Sequence, residues 1–308
     1  MAMEGLVVKH TGSIVNVRLP DGSVHNCRMK GLLRTKGLRT THPVAVGDRV
    51  LLDDANPGEL LISDICPREN YIIRKSVNLS AQAQIIAANL DQAILVASLH
   101  SPRTSTGFID RFLITCEAYQ IPAMLVINKS DLYKTEDEQA LLRYFTTLYQ
   151  EAAYSVIALS ATENQNINQF KATLKGKISL LCGHSGSGKS SLINSLNTSL
   201  NLRSGDISSA HNKGKHTTTF AEMFEIEPDT WLIDTPGVKE FGLIDIQPDE
   251  LRHYFPEFIH FAQECRFANC QHLHEPDCAV RLAAENHQIA PERYDSYCGI
   301  IQSNELDA

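Results

Sequence analysis

From about Gly5 to Arg74, apolar and polar residues alternate in short runs: VVKHTGSIVNVRL, a PDGS turn, VHNCRM, VGDRVLLDD and GELLISDI. Alternation of period two, bounded by Gly, Pro and Asp, predicts strands, here roughly five of them with few helical periods between. A set of this size closes into a small β-barrel. An OB-type barrel fits, an architecture that often binds RNA, and an SH3-like barrel fits the strand pattern equally. From about Asn78 the pattern changes. LDQAILVASL reads as a buried strand, GFIDRFLITCEAY as an amphipathic helix and PAMLVINKSD as a strand ending in a loop. ALLRYFTTLYQEA is a second helix, YSVIALSA a third strand and TWLIDTPG a further strand that runs into a loop. Strands alternating with helices predict parallel βαβ units. After Ile244 the chain turns polar and helical through PDELRHYFPEF, VRLAAENHQI and PERYDSYCGIIQSN, the last entered through proline at its first turn. The expected division is a barrel over residues 1–77, an α/β domain over 78–244 and a helical domain over 245–308.

Composition adjusts this picture only slightly. A chain of 308 residues with 43% hydrophobic content can build the sizeable cores that two or three domains need. No uninterrupted apolar run reaches about 18 residues, so no membrane span is expected. The opening MAMEGLVVKHTG lacks the features of a secretory signal, and a cytoplasmic location is expected. The net charge of −8 argues against coating nucleic acid by bulk charge, although a local patch suffices for structured RNA. Lys30, Arg34, Lys36 and Arg39, interleaved with Gly31 and Gly37, are the candidate patch.

The chemistry lies in motifs whose order is unusual. GHSGSGKS, Gly183 to Ser190, follows the apolar run Ile178 to Cys182 and opens the helix SLINSLN, whose buried face is Leu192, Ile193 and Leu196. This is a phosphate loop: its glycines let backbone N–H groups curl around phosphate oxygens, and the helix N-terminus adds positive charge. Gly183, His184, Ser185, Gly186, Ser187, Gly188 and Ser191 form the cradle. Lys189 should reach the β- and γ-phosphates, and the Ser190 hydroxyl should ligate Mg²⁺. Asn128-Lys129-Ser130-Asp131 ends a predicted strand as an NKxD motif. Asp131 would accept from guanine N1–H and N2–H₂, Asn128 would meet O6, and Lys129 would pack over the ring. Adenine offers Asp131 neither donor, and each buried polar group left unpaired costs about 1–3 kcal/mol. GTP is therefore expected to be selected over ATP. Ser160-Ala161 would back the guanine ring, Asp234 of DTPG would hold Mg²⁺ through water, and the Gly237 N–H would meet the γ-phosphate. Among Thr217, Thr218 and Thr219, spacing favours Thr218 for the Mg²⁺ shell.

In the usual order of such proteins the phosphate loop leads and NKxD comes late; here NKSD and Ser160-Ala161 precede it. The arrangement is a circular permutation, which is physically allowed because the loops need to meet in space, outside the carboxyl ends of the strands. The joint is expected in the polar, helix-like stretch Asn166 to Lys177, and whatever follows DTPG should feel nucleotide state. Many GTPases carry a glutamine just after DxxG to orient water; Val238 stands there and cannot hydrogen-bond water. His216 is the candidate catalytic substitute, swinging in when a partner orders the switch, and the alternative is a solvent-exposed loop histidine.

Eight cysteines are present, and Cys265, Cys270 and Cys278 cluster around histidines. With His272 they offer three thiolates and one imidazole for one tetrahedral zinc, with His274 as a spare. Four protein ligands leave no open position, so the zinc would be structural.

A barrel-like start, a permuted GTPase with GHSGxGKSS and HTTT, and C-x4-C-x-H-x5-C together resemble the RsgA family of small-ribosomal-subunit biogenesis GTPases over nearly the whole chain. The resemblance implies an OB domain, a permuted GTPase domain and a zinc domain that act late in 30S assembly. It implies contact with the 30S subunit and its 16S rRNA, stimulation of GTP hydrolysis by the subunit, and release from the particle afterwards. GTP/GDP and Mg²⁺ belong to that picture, and a monomer is expected. Ser187 departs from the valine frequent in the family, and a basic N-terminal tail is lacking. Two other readings compete: a GTP-gated RNA-binding module with incidental hydrolysis, and an ATP-dependent P-loop enzyme, which NKSD disfavours.

Overall fold

The computed structural model describes residues 3–11, 14–31, 43–56, 59–75, 83–197, 221–235 and 246–303. Five strands, β1 (Met3–Thr11), β2 (Ile14–Arg18), β3 (Val24–Met29), β4 (Arg49–Asn56) and β5 (Glu59–Ile65), come first. They pair in the order β1-β2-β3-β5-β4, and β4 returns to β1 and closes the ring. The β3–β5 pairing is parallel and the others antiparallel. This closed five-stranded order is that of an OB-type barrel, and it decides between the two barrels that the alternation allowed. Val7, Val15, Val17, Cys27, Val50, Leu52 and Ile62 point inward as the period-two pattern requires.

A hairpin of β6 (Tyr71–Lys75) and β7 (Ala83–Ala88) leads out of the barrel. The α/β domain then adds β8 (Gln92–Ala97), α1 (Thr106–Ala118), β9 (Ala123–Ile127), α2 (Glu136–Glu151), β10 (Ser155–Ala158), α3 (Ile167–Leu174) and β11 (Ile178–Cys182). It continues with α4 (Lys189–Leu196), β12 (Glu222–Glu227) and β13 (Thr230–Asp234). The sheet runs β10-β9-β8-β11-β13-β12, parallel except for the edge strand β12. Both faces are covered, as a parallel sheet demands. On β8, Ala93, Leu95 and Ala97 face the cluster that holds α1 and α2, whereas Ile94 and Val96 face α3 and α4. The stretch expected to join the permuted halves is α3, entered through Asn166 and followed directly by β11.

The C-terminal region comprises a short 3-10 turn, Leu251–Tyr254, and the helices α5 (Pro256–Ala262), α6 (Ala279–Glu285) and α7 (Pro291–Gln302). Pro256 and Pro291 open their helices, where a missing N–H is harmless. Phe255, Phe258, Val280, Tyr297 and Ile300 form its core, which also takes in Ile114 from α1. No helix among the described residues is long and apolar enough to cross a membrane.

Candidate functional site

Four loops converge because each leaves the carboxyl end of a neighbouring parallel strand: 98–105 after β8, 128–133 after β9, 159–166 after β10 and 183–188 after β11. The phosphate loop could not carry side chains at two of its glycines. Gly183, at φ +146°, would place a Cβ 2.3 Å from the Val96 carbonyl oxygen, and Gly188, at φ +96°, would place one 2.2 Å from Asn128 Nδ2. Lys189 is buried and donates from Nζ to the carbonyls of Gly183 (2.6 Å) and His184 (3.1 Å). Burial lowers its pKa and the nearby Asp234 opposes that shift. Ser185 and Gly186 lie exposed, while Ser190 and Ser191 are half-buried on the first turn of α4.

Asn128 is held among these loops by hydrogen bonds within the protein. Its Nδ2 donates to the Ser187 carbonyl at 2.9 Å, and its Oδ1 accepts from the backbone N–H of Lys129 (2.8 Å) and Ala161 (3.2 Å). It therefore ties the phosphate loop to the guanine loops. Lys129, in a left-handed conformation, donates from Nζ to the Ser101 carbonyl. Ser130 Oγ donates to Gln165 Oε1 at 3.1 Å, and the Ser160 backbone exchanges hydrogen bonds with Gln165.

Among the described residues, three buried side-chain oxygens of this site have no protein partner: Asp131 Oδ1, Ser187 Oγ and Asp234 Oδ1. Buried polar atoms are normally satisfied, so unpaired ones at the mouth of a phosphate loop mark where a ligand belongs. Asp131 is free to accept from a base edge. Asp234, at the end of β13, has its carboxyl pushed up to about 6 by burial against the opposing pull of Lys189. A divalent cation such as the Mg²⁺ of a nucleotide would supply the charge that this carboxylate lacks. His216, Thr217, Thr218, Thr219, Gly237 and Val238 lie outside the described residues, as do Arg34, Lys36 and Arg39. Lys30 of the same candidate patch pairs with Asp53.

A second cluster sits between α5 and α6. Cys265, Cys270, His272 and Cys278 bring their ligand atoms within 4.8 Å of one another. His272 Nδ1 lies 3.6 Å from Cys265 Sγ and 3.4 Å from Cys278 Sγ. Ligands held at 2.0–2.3 Å around a tetrahedral ion are separated by roughly 3.5 Å, so the cluster can hold a metal ion. His272 enters the cluster, whereas His274 is exposed. Burial keeps the His272 imidazole neutral, its pKa lowered to about 4, and raises the Cys270 thiol to about 12. A cation is what would favour the thiolates. Glu275 braces the loop, accepting from the N–H groups of Gln271 (2.7 Å), Leu273 (3.0 Å) and His274 (3.2 Å).

Known proteins match this chain over nearly its whole length. The RsgA GTPase family model matches residues 65–244, and the RsgA N-terminal domain model matches residues 4–62. The chain belongs to the RsgA GTPase family. It is a GTPase, and hydrolase chemistry comes with that membership. A relative from Bacteroides thetaiotaomicron, small ribosomal subunit biogenesis GTPase RsgA 2, is 48% identical over 98% of this chain and 97% of its own length. Small ribosomal subunit biogenesis GTPase RsgA of Porphyromonas gingivalis is 46% identical over 99% of this chain and 98% of its own. The crystal structure of YjeQ from Thermotoga maritima superposes with a TM-score of 0.80 at 33% identity, covering 100% of this chain and 99% of that one. YloQ, described as a circularly permuted GTPase, gives 0.75 at 26% identity, covering 100% and 96%.

Two contributors to this RsgA-family site escaped the motif reading. Phe108, in the first turn of α1, packs against His184 with ring centroids 3.9 Å apart and the planes tilted by 31°. Gln165 braces both guanine loops, and nothing in its local sequence distinguishes it from a turn residue.

Proposed function

We propose that this GTPase acts on the small (30S) ribosomal subunit during late maturation, hydrolysing GTP to GDP and phosphate faster when the subunit is bound. The observation that carries the reading is the pair of buried, unpartnered acceptors on either side of the phosphate loop, Asp131 Oδ1 and Asp234 Oδ1. One suits a guanine edge and the other a hydrated Mg²⁺, and relatives of nearly equal length bear ribosomal names. In this reading Gly183 to Ser191 hold the phosphates, Lys189 stabilises charge at the γ-phosphate with Gly237, Thr218 completes the Mg²⁺ shell, and Asn128 to Asp131 with Ser160 and Ala161 hold the base. The Cys265, Cys270, His272 and Cys278 cluster takes one structural zinc. The barrel (1–77) and the C-terminal domain (245–308) meet 16S rRNA on either side of the GTPase domain (78–244), and the protein works as a cytoplasmic monomer.

His216 is assigned to orient the attacking water in place of the glutamine that Val238 replaces. GTP turnover titrated with purified 30S subunits, for the wild type and His216→Ala, tests this. The subunit should accelerate the wild type, and the variant should lose that acceleration while still binding GTP. No acceleration of the wild type would favour a GTP-gated binding module. Full acceleration of His216→Ala would remove the histidine from the mechanism.

A further inference from the structure

Edge strand β12 joins two functional segments. Its first residue, Glu222, follows the threonine run at 217–219 closely, and through β13 it leads to Asp234. Its outer edge is not free, because β1 of the barrel pairs with it. The register places Lys9 opposite Glu222 and Glu222 opposite Asp234, so one row of residues crosses from the barrel to the candidate Mg²⁺ residue. Two cations of the barrel meet two carboxylates of β12. Lys9 Nζ lies 2.8 Å from Glu222 Oε1, and Arg18 Nη2 lies 3.1 Å from Glu225 Oε2. The Arg18 guanidinium also covers the Trp231 ring at 4.8 Å, and Trp231 is the register partner of Glu225.

We infer that Lys9 and Arg18 are positioning residues for GTP hydrolysis, seating β12 and thereby Asp234 from a neighbouring domain. Among the contacts described, neither touches the nucleotide loops, so each acts through Glu222 or Glu225. The four side chains are 29–41% exposed, which makes these contacts adjustable, unlike a buried lock. The inference rests on the GTPase reading of the site.

Single-turnover GTP hydrolysis and GTP affinity, measured on the full chain, test it. Lys9→Met and Arg18→Glu should each slow hydrolysis about two- to fivefold, the range open to half-exposed ion pairs. GTP affinity should hold, because the phosphate and guanine loops are untouched. Lys9→Arg and the exchanged pair R18E/E225R should recover the rate. Wild-type hydrolysis in a Lys9→Met, Arg18→Glu double variant would overturn the inference. So would a loss that merely follows thermal stability and is not recovered by Lys9→Arg or by the exchange. Asp234→Asn separates this failure from that of the underlying reading. If Asp234→Asn hydrolyses GTP as the wild type does, the site assignment falls; if it is inactive while the double variant is normal, only the positioning role falls.

Discussion

The GTPase domain meets its two neighbours through charged residues in opposite physical regimes. On the C-terminal side Arg293 of α7 is fully buried. Its guanidinium is held by Asp110 of α1 at 2.6 Å and by Glu257 of α5 at 2.6 and 3.3 Å, with the Phe255 ring 4.6 Å away. On the barrel side, Lys9–Glu222 and Arg18–Glu225 are open to water. Removing one partner of a buried pair strands the other charge, whereas an exposed pair gives up little when it opens. The C-terminal domain is thus fastened to α1, the helix whose first turn carries Phe108 under His184 of the phosphate loop. The barrel is anchored at its hairpin end, where Val46, Ile72 and Ala87 join the GTPase core, and it is adjustable at β12. A ligand on the barrel could shift β12 without detaching the domain; one on the C-terminal domain would have to move α1 with it.

The largest expected effect comes from breaking the buried side. Arg293→Met leaves Asp110 and Glu257 facing each other without a cation, and should cost about 3–5 kcal/mol of stability in chemical denaturation with metal supplied. Arg293→Lys should recover little, because an ammonium cannot span two carboxylates as the guanidinium fork does. A loss below about 1 kcal/mol would put this seam in the same class as the barrel seam and dissolve the contrast.

The residues of this contrast were the hardest to read from sequence. Arg293 sits in PERYDSYCGIIQSN, a helix that looks like an ordinary surface helix, and its burial is decided by Asp110, 183 positions earlier. β12 reads as EMFEIE, an acidic, weakly alternating stretch, and it becomes a strand because β13 and the barrel pair with its two edges. β7, AQIIAA, is also weakly marked, and it becomes a strand by pairing with β6. By contrast the phosphate loop, NKSD and the Cys/His spacing were legible, because their chemistry depends on neighbours within a few residues. Asn128 falls between the two cases. Its motif was recognisable, but its hydrogen bond to the Ser187 carbonyl spans 59 positions and could be seen only in the fold.

An intermediate effect should sharpen the picture from within the C-terminal domain. Burial would raise the Glu275 carboxyl, but the N–H groups of Gln271, Leu273 and His274 outweigh it and bring the pKa from 4.5 to about 2. The folded value lies below the unfolded one. Its stabilising contribution is therefore complete above about pH 4.5 and is lost as pH falls toward about 2. Glu275→Gln removes that charge at neutral pH and turns an NH₂ group toward backbone donors. Metal affinity, measured by competition with a chromophoric chelator, should weaken about 10–100-fold, as for other groups that hold a ligand loop in place. GTP binding should not change, since the nucleotide loops lie on other elements. An unchanged metal affinity would mean that the four ligands fix the loop without the brace.

The smallest effect tests the adjustable side directly. Raising ionic strength from about 0.1 M to about 1 M shortens the screening length from about 10 Å to about 3 Å. The half-exposed Lys9–Glu222 and Arg18–Glu225 pairs should weaken while Arg293, out of reach of solvent ions, should not. Amide hydrogen exchange reads both seams in one sample. Protection along β1 and β12 should drop by up to about fivefold, the equivalent of about 1 kcal/mol or less. Protection in α1 and α7 should stay constant. If β1 and β12 keep their protection in high salt, the half-buried Leu6 and Val8, which pack on the cluster containing Met223 and Trp231, hold this seam instead. The barrel would then be fixed to β12 by apolar contact, and nucleotide state and barrel position would be coupled rigidly.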